Sequence, residues 1–234
     1  MKPPYFTRYG KDTSLLTWTS AMDCWSWSLP AGKNGACPME SRAANSICNS
    51  CYAQQGRYLF RNVRGAQLAR FAYLKETPDL CLSQISDFIH SHRLPYFRVH
   101  DSGDFHSLDM IHRWTLLAAS IPNTSFWFPT RGWVFPHWMD ALATLAALPN
   151  ATVRPSALHF GDEPPTIPNL SPGTSSMEEP AAHIHDCPKA LLGGSCGSNY
   201  CRTCWEDIAP VNYHPHGHTI SPKERLITLT IGAS

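Results

Sequence analysis

Apolar and polar positions change their spacing several times along the chain, and each change marks a predicted element. Residues 1 to 14 are polar, rich in Pro, Tyr and charge, and read as an irregular lead-in. Leu15 to Leu29 is β-prone, with Trp25-Ser26-Trp27-Ser28-Leu29 as its core, and predicts one or two strands that Pro30 and Gly32 end by turn chemistry. From Tyr52 to Lys75, Leu59, Val63, Ala66, Ala69 and Tyr73 fall at helical spacing, so a helix is expected with Arg57, Arg61, Arg64 and Arg70 on a solvated face. Pro78 opens a second helix that turns Leu80, Ile85, Phe88 and Ile89 to the core. Cys81 falls inside that apolar pattern and reads as a small buried hydrophobe, as does Cys24 in the preceding β-prone run.

The pattern then alternates. Tyr96 to His100 reads as a strand ending in Asp101-Ser102-Gly103-Asp104, followed by a helix from about Ser107 to Ala119. Thr124 to Phe128 is a strand, Thr130-Arg131-Gly132 a loop, Pro136 to Leu148 a helix and Ala151 to Ser156 another strand. Alternating β and α elements with short loops predict an α/β fold on a parallel sheet, either open or curled into a partial or full barrel. In such folds ligands bind at the carboxyl ends of the strands. The loop after the first strands, Asp101 to Asp104, Arg131 and Ser156 all fall at such ends, so they are expected to share one mouth. Residues 161 to 180, rich in Pro, Ser and acidic groups, read as a long loop with at most one short strand. The expected organisation is one domain over residues 1–180, a cysteine-rich appendage over 181–220 and a tail over 221–234, which holds a final strand at Leu226 to Ile231 or is loose.

A formal net charge of +1 gives no indication of a nucleic-acid partner. No stretch is long and apolar enough for a membrane span, and Met1-Lys2-Pro3-Pro4 lacks the apolar run of a signal peptide, so the cytoplasm is the expected compartment. Nine cysteines in a reducing compartment favour metal ligation over disulfides.

Seven of those nine fall into two groups, Cys37/Cys48/Cys51 and Cys187/Cys196/Cys201/Cys204. A Cys-x2-Cys step, present once in each group, lets two thiolates grip one metal centre. Three ligands in the first group leave a coordination position open, as catalytic centres do, whereas four in the second close theirs. Zinc ribbons usually offer paired knuckles, and these groups do not. Cys37-Pro38 and Cys187-Pro188 also echo the Cys-Pro ending of ferredoxin runs, so iron-sulfur is favoured and zinc stays the alternative. The segment from His100 to His106 gathers two imidazoles and two carboxylates around Gly103; Ser107 is expected to cap the next helix, and Asp104 to face a ligand. The late histidines His183, His185, His214, His216 and His218 are expected at the surface or behind the ligands.

Taken in order, Trp27-Ser-Leu-Pro-Ala-Gly, Cys37-Pro, Cys48-x2-Cys51-Tyr-Ala, Gly56-Arg-Tyr58, Ser102-Gly103-Asp104, Pro129-Thr-Arg131, Cys187-Pro and Cys201-x2-Cys204-Trp resemble the phage gene product eighty-eight family, over about residues 15 to 218. That family looks like a divergent relative of the radical S-adenosylmethionine (SAM) enzymes, which have a partial or full β/α barrel. The resemblance implies that Cys37, Cys48 and Cys51 hold a 4Fe-4S cluster with Tyr52 beside them. It implies that Ser102, Gly103 and Asp104 stand where a Gly-Gly-Glu motif binds the methionine amino group of SAM, with Arg131 and Ser156 toward its carboxylate and ribose. Cys187, Cys196, Cys201 and Cys204 would hold an auxiliary cluster.

Two departures accompany the likeness. The usual Cys-x3-Cys-x2-Cys is stretched to Cys-x10-Cys-x2-Cys, and the acid is Asp104, one methylene shorter than Glu. The expected function is therefore an iron-sulfur phage protein, with one or two clusters, that cleaves SAM reductively to act on an unidentified substrate. The alternative is a non-enzymatic iron-sulfur or zinc protein with a structural, redox-sensing or host-partner-binding role.

Overall fold

A computed structural model describes residues 1–8, 10–32, 34–37 and 46–214. The strand expected at Leu226 to Ile231, the tail over 221–234, His216 and His218 lie outside those residues. The chain opens with an antiparallel hairpin of β1 (Tyr5–Arg8) and β2 (Lys11–Ser14), where the sequence predicts an irregular lead-in. Gly10, at φ +70°, closes the turn, and Thr7 donates to Asp12 across it at 2.6 Å. Phe6 stacks on Tyr73 with ring centroids 4.4 Å apart, so long-range packing supplies what these short polar strands lack in pattern.

The centre is a five-stranded sheet in the order β3 (Thr17–Thr19), β4 (Cys24–Trp27), β5 (Tyr96–Val99), β6 (Ser125–Thr130) and β7 (Ala151–Pro155). Strand β3 pairs antiparallel to β4, and β4 to β7 are parallel, which makes the sheet mixed. Its end strands β3 and β7 do not pair with each other, so among the described residues the sheet is open and forms no closed barrel. Between β4 and β5 lie α1 (Arg61–Glu76) and α2 (Pro78–Ser91); α3 (Leu108–Ser120) joins β5 to β6, and α4 (Met139–Ala146) joins β6 to β7. No helix among the described residues is long and apolar enough to cross a membrane.

Strand alternation divides the sheet into two chemically different faces. Trp25, Trp27, Phe97, Val99, Phe126, Phe128 and Val153 join the core that Ile85, Ile89, Trp114 and Leu142 contribute from the helices. The residues between them, Cys24, Ser26, Arg98, Trp127, Thr152 and Arg154, are buried on the opposite face. Among the described residues, none of α1 to α4 covers that face. The segment after Thr174 does so instead, through a second small core of Cys24, Trp127, Cys204, Trp205 and Val211. That segment contains β8 (Thr174–Ser175), β9 (His185–Asp186), α5 (Pro188–Leu192) and β10 (Val211–Asn212), with the strands parallel in the order β8-β10-β9.

Three local expectations need correction. The helix predicted from Tyr52 begins at Arg61, because Tyr52–Gln54 and Gly56–Leu59 form 3-10 turns around Gly56 at φ +52°. Leu59 is consequently exposed. Arg70 is buried and donates to the Ser14 and Ser28 carbonyls, whereas Arg57, Arg61 and Arg64 are exposed as expected. In α2, Leu80 is exposed and Cys81 takes the inward position, since the helical turn that buries Ile85, Phe88 and Ile89 also turns residue 81 inward. Ser107 caps α3, its hydroxyl accepting from Met110 N at 3.2 Å. Ser107→Ala is expected to lower unfolding free energy by about 1 kcal/mol in urea denaturation.

Candidate functional site

The carboxyl ends of β4 to β7 open into a cavity of about 500 Å³. Its floor is the polar face of the sheet, where the Arg98 guanidinium lies 4.5 Å over the Trp127 ring. Cys37, Cys48 and Cys51 line one wall, and Cys187, Cys196 and Cys204 line another. Tyr52, Ser102, Gly103, Asp104, Arg131 and Ser156 reach the same cavity, so the shared mouth expected from the strand ends is present.

The first thiol group is held by its backbone. Cys48 lies in a 3-10 turn, Ile47–Ser50, whose start is fixed by Ile47 N donating to Leu158 O at 2.7 Å. Gln54 and Gln55 side chains donate to the Cys48 and Ser50 carbonyls. Main-chain N–H groups of Ala53 and Gln54 serve the Cys51 sulfur, and that of Gly32 serves Cys37. Burial, followed by the nearby Asp104 carboxylate, pushes the Cys37 thiol up to about 12. Cys51 is raised by burial as well. Thiols in such surroundings become thiolates when a metal supplies the balancing charge.

Asp101 ties this loop to the sheet, a role the sequence did not reveal. Its carboxylate pairs with Arg98 at 2.8 Å and accepts from Tyr58 at 2.9 Å and Ser28 at 3.3 Å, while its carbonyl accepts from Tyr52 at 2.6 Å. Burial works against the Arg98 charge, and Asp101 together with Tyr52, Tyr58 and Tyr213 more than restores it. Tyr52 therefore works as a strut between the thiol turn and β5 as well as a wall of the cavity.

Asp104 does not cap α3. It accepts from Phe105 N at 2.7 Å, Thr130 Oγ1 at 2.7 Å and Arg131 N at 2.8 Å, and so joins the ends of β5 and β6. Burial nevertheless holds its carboxyl above the usual carboxylate range. Gly103, at φ +81°, has no room for a side chain, because a Cβ there would lie 3.0 Å from Leu29 Cβ. Arg131 Nε donates to Ala157 O at 3.0 Å, and Ser156 Oγ accepts from Thr174 Oγ1 at 3.1 Å.

A family model described as gene product 88 matches residues 7–169. The chain belongs to this phage gene product family. No curated protein and no solved structure matches. The gene product 88 match contains the first thiol group and every strand of the central sheet from β3 to β7. It stops before Cys187, short of the reach to about residue 218 that the sequence likeness implies.

Beyond the gene product 88 match, the second thiol group is anchored independently. Cys187 N donates to Asn212 O, Cys196 N to Ala21 O and Cys201 N to Cys196 O. Cys201 Sγ lies 3.3 Å from His185 Nε2, and Cys204 Sγ lies 3.0 Å from Tyr213 Oη. Cys187, Cys196, Cys201 and Cys204 line a gap of about 10 Å³ together with His185, Asn199 and Val211. His214 pairs with Asp186 at 3.0 Å, and His183 is exposed. All nine cysteines are thiols. Among the described residues, no three His, Cys, Asp or Glu side chains are set to hold one metal ion.

Proposed function

We propose that this chain is an iron-sulfur protein with a radical-SAM-like β/α architecture of the partial-barrel kind. In this reading Cys37, Cys48 and Cys51 hold one 4Fe-4S cluster, and Cys187, Cys196, Cys201 and Cys204 hold a second. The observation that carries it is that Cys37, Cys48 and Cys51 line one cavity at the carboxyl ends of parallel strands together with Cys187, Cys196 and Cys204 of the second group. The donor set is soft, partly buried sulfur, which suits iron-sulfur groups. A single zinc ion needs all its ligands within about 2.3 Å of one point, whereas a four-iron cluster spreads its thiolates around a cube.

On the same reading SAM occupies the cavity beside the first thiol group. When bound, the reduced cluster would supply the electron that cleaves SAM and leaves a radical to act on the substrate. The chain's own residues bind and orient. The Ser102–Gly103 backbone meets the methionine amino group, Asp104 fixes the shape of that turn through its three internal donors, and Arg131 and Ser156 meet the carboxylate and ribose. Arg98 and Trp127 close the floor against water.

A second reading is favoured by one observation, namely that internal donors already occupy both Asp104 oxygens. There the clusters are structural or redox-sensing, and the cavity takes no SAM.

Anaerobically purified protein is expected to contain about eight iron and matching acid-labile sulfide per chain. Stoichiometric zinc without sulfide would remove the proposal. Calorimetry with SAM on the iron-loaded chain separates the two readings: binding supports the enzyme, and its absence leaves the non-enzymatic protein.

A further inference from the structure

Two guanidinium groups are buried on the cavity face of the sheet, and among the described residues only one is paired with a carboxylate. Arg98 has Asp101. Arg154 is fully buried and directs its donors to main-chain carbonyls alone: Cys204 at 3.2 Å, Pro172 at 2.7 Å, Ala209 at 2.9 Å, Thr203 at 2.7 Å and Glu206. Carbonyls satisfy its hydrogen bonds without cancelling its charge. An uncompensated buried ion costs several kcal/mol in ordinary circumstances, so a counter-charge is expected close by.

Glu206 and Asp207, next to the carbonyls that Arg154 holds, are exposed, and Arg154 reaches the Glu206 carbonyl rather than its carboxylate. Asp23 accepts from Ser195 Oγ and Gly197 N, and Asp186 accepts from Asn212 and His214. A second cation, Arg202, lies 4.6 Å over Tyr96 and donates to Met22 O on the same side of the sheet. What these cations surround is the second thiol group. The carbonyls that Arg154 gathers flank Cys204, and Arg202 is close enough to Cys196 to act on its charge. Tyr213 and His185 stand at hydrogen-bond distance from two of its sulfurs, and toward a thiolate the tyrosine hydroxyl can only donate. Asp23 offsets Arg202 near Cys196 much as Asp104 accompanies Arg131 near the first group, whose sulfurs are served by main-chain N–H groups; what the second group has in addition is the buried Arg154 beside Cys204.

Positive charge and hydrogen-bond donors stabilise the more negative of two redox states, which raises a cluster's reduction potential. We infer that Arg154, Tyr213 and His185 set the second thiol centre at a higher reduction potential than the first. When a low-potential donor such as dithionite supplies a single electron, the second centre is then the one that takes it up, with no bond made or broken. This rests on the iron-sulfur reading above.

The test is a reductive titration of the full chain with dithionite, followed by electron paramagnetic resonance. The wild type should show two waves. Cys51→Ser, which keeps only the second centre, should retain the higher one. Tyr213→Phe, which removes a hydroxyl and keeps the ring, should shift that wave alone to lower potential at unchanged iron content. Arg154→Lys should shift it in the same direction, and Tyr213→Phe stands as the test if the lysine variant does not fold. Retention of the lower wave in Cys51→Ser, or a Tyr213→Phe titration identical to wild type at full iron content, would overturn the inference. Absence of iron from the wild type would overturn the iron-sulfur reading itself.

Discussion

Cys51→Ser protein purified without oxygen is expected to carry about four iron per chain in place of about eight, with sulfide falling in step. Cys51 sits where two 3-10 turns meet, and its sulfur receives the Ala53 and Gln54 N–H groups, so the turns aim it into the cavity. Serine offers a hard oxygen that stays protonated and does not replace a soft thiolate. The second group should keep its iron, because its anchors come from other segments. Its backbone is held by Ala21, Asn212 and the Arg154 fork. Loss of iron from both groups in equal measure would mean that they form one coupled site. Unchanged iron would remove Cys51 from the ligand set.

The sheet and its mouth were legible because their causes are local. Alternation in Trp25-Ser26-Trp27 and in Phe126-Trp127-Phe128 sets which side chains face the helices, and the strand-to-helix rhythm places Asp104, Arg131 and Ser156 at neighbouring ends. Cysteine spacing gathered the thiols into two groups. It could not show that the two groups face one cavity, since that depends on the segment after Thr174 folding back over the bare face of the sheet.

Charged residues inside strands carried the signal that was missed. Arg98 in Tyr-Phe-Arg-Val and Arg154 in Ala-Thr-Val-Arg-Pro stand at positions where their apolar neighbours are buried, and each turned out to organise a wall of the site. The bracing role of Asp101 was missed for a different reason. Its partners Tyr52 and Tyr58 are distant in sequence, and no local pattern couples a tyrosine in a turn to an acid at a strand end. Asp104 lines the cavity that its position and type pointed to, and its three internal donors, which motif logic did not show, also make it a brace between β5 and β6.

His100 gives the chain a pH dependence that can be worked out from its surroundings. It follows β5 with φ at +66°, is buried, and neither ring nitrogen has a hydrogen-bond partner. Its ring meets Phe105 edge to face at 4.7 Å between centroids. Burial, then the neighbouring His106 and Arg98, pushes its pKa down from 6.5 to about 3. In the unfolded chain the imidazole takes up a proton below about 6.5; in the folded chain it stays neutral until about 3. The unfolded state therefore binds more protons across that window, and stability falls as pH falls through it. Between pH 7.5 and 5.5 this one group should lower the unfolding free energy by about 1.4 kcal/mol. His100→Asn tolerates the left-handed backbone and does not titrate. Its urea unfolding should lose about 1.4 kcal/mol less than wild type over the same interval. The comparison uses the pH slope, so a constant stability change from the smaller side chain cancels. Equal slopes in the two proteins would show that His100 takes up a proton in the folded state as readily as in the unfolded one, which would require a partner for its ring within the cavity wall.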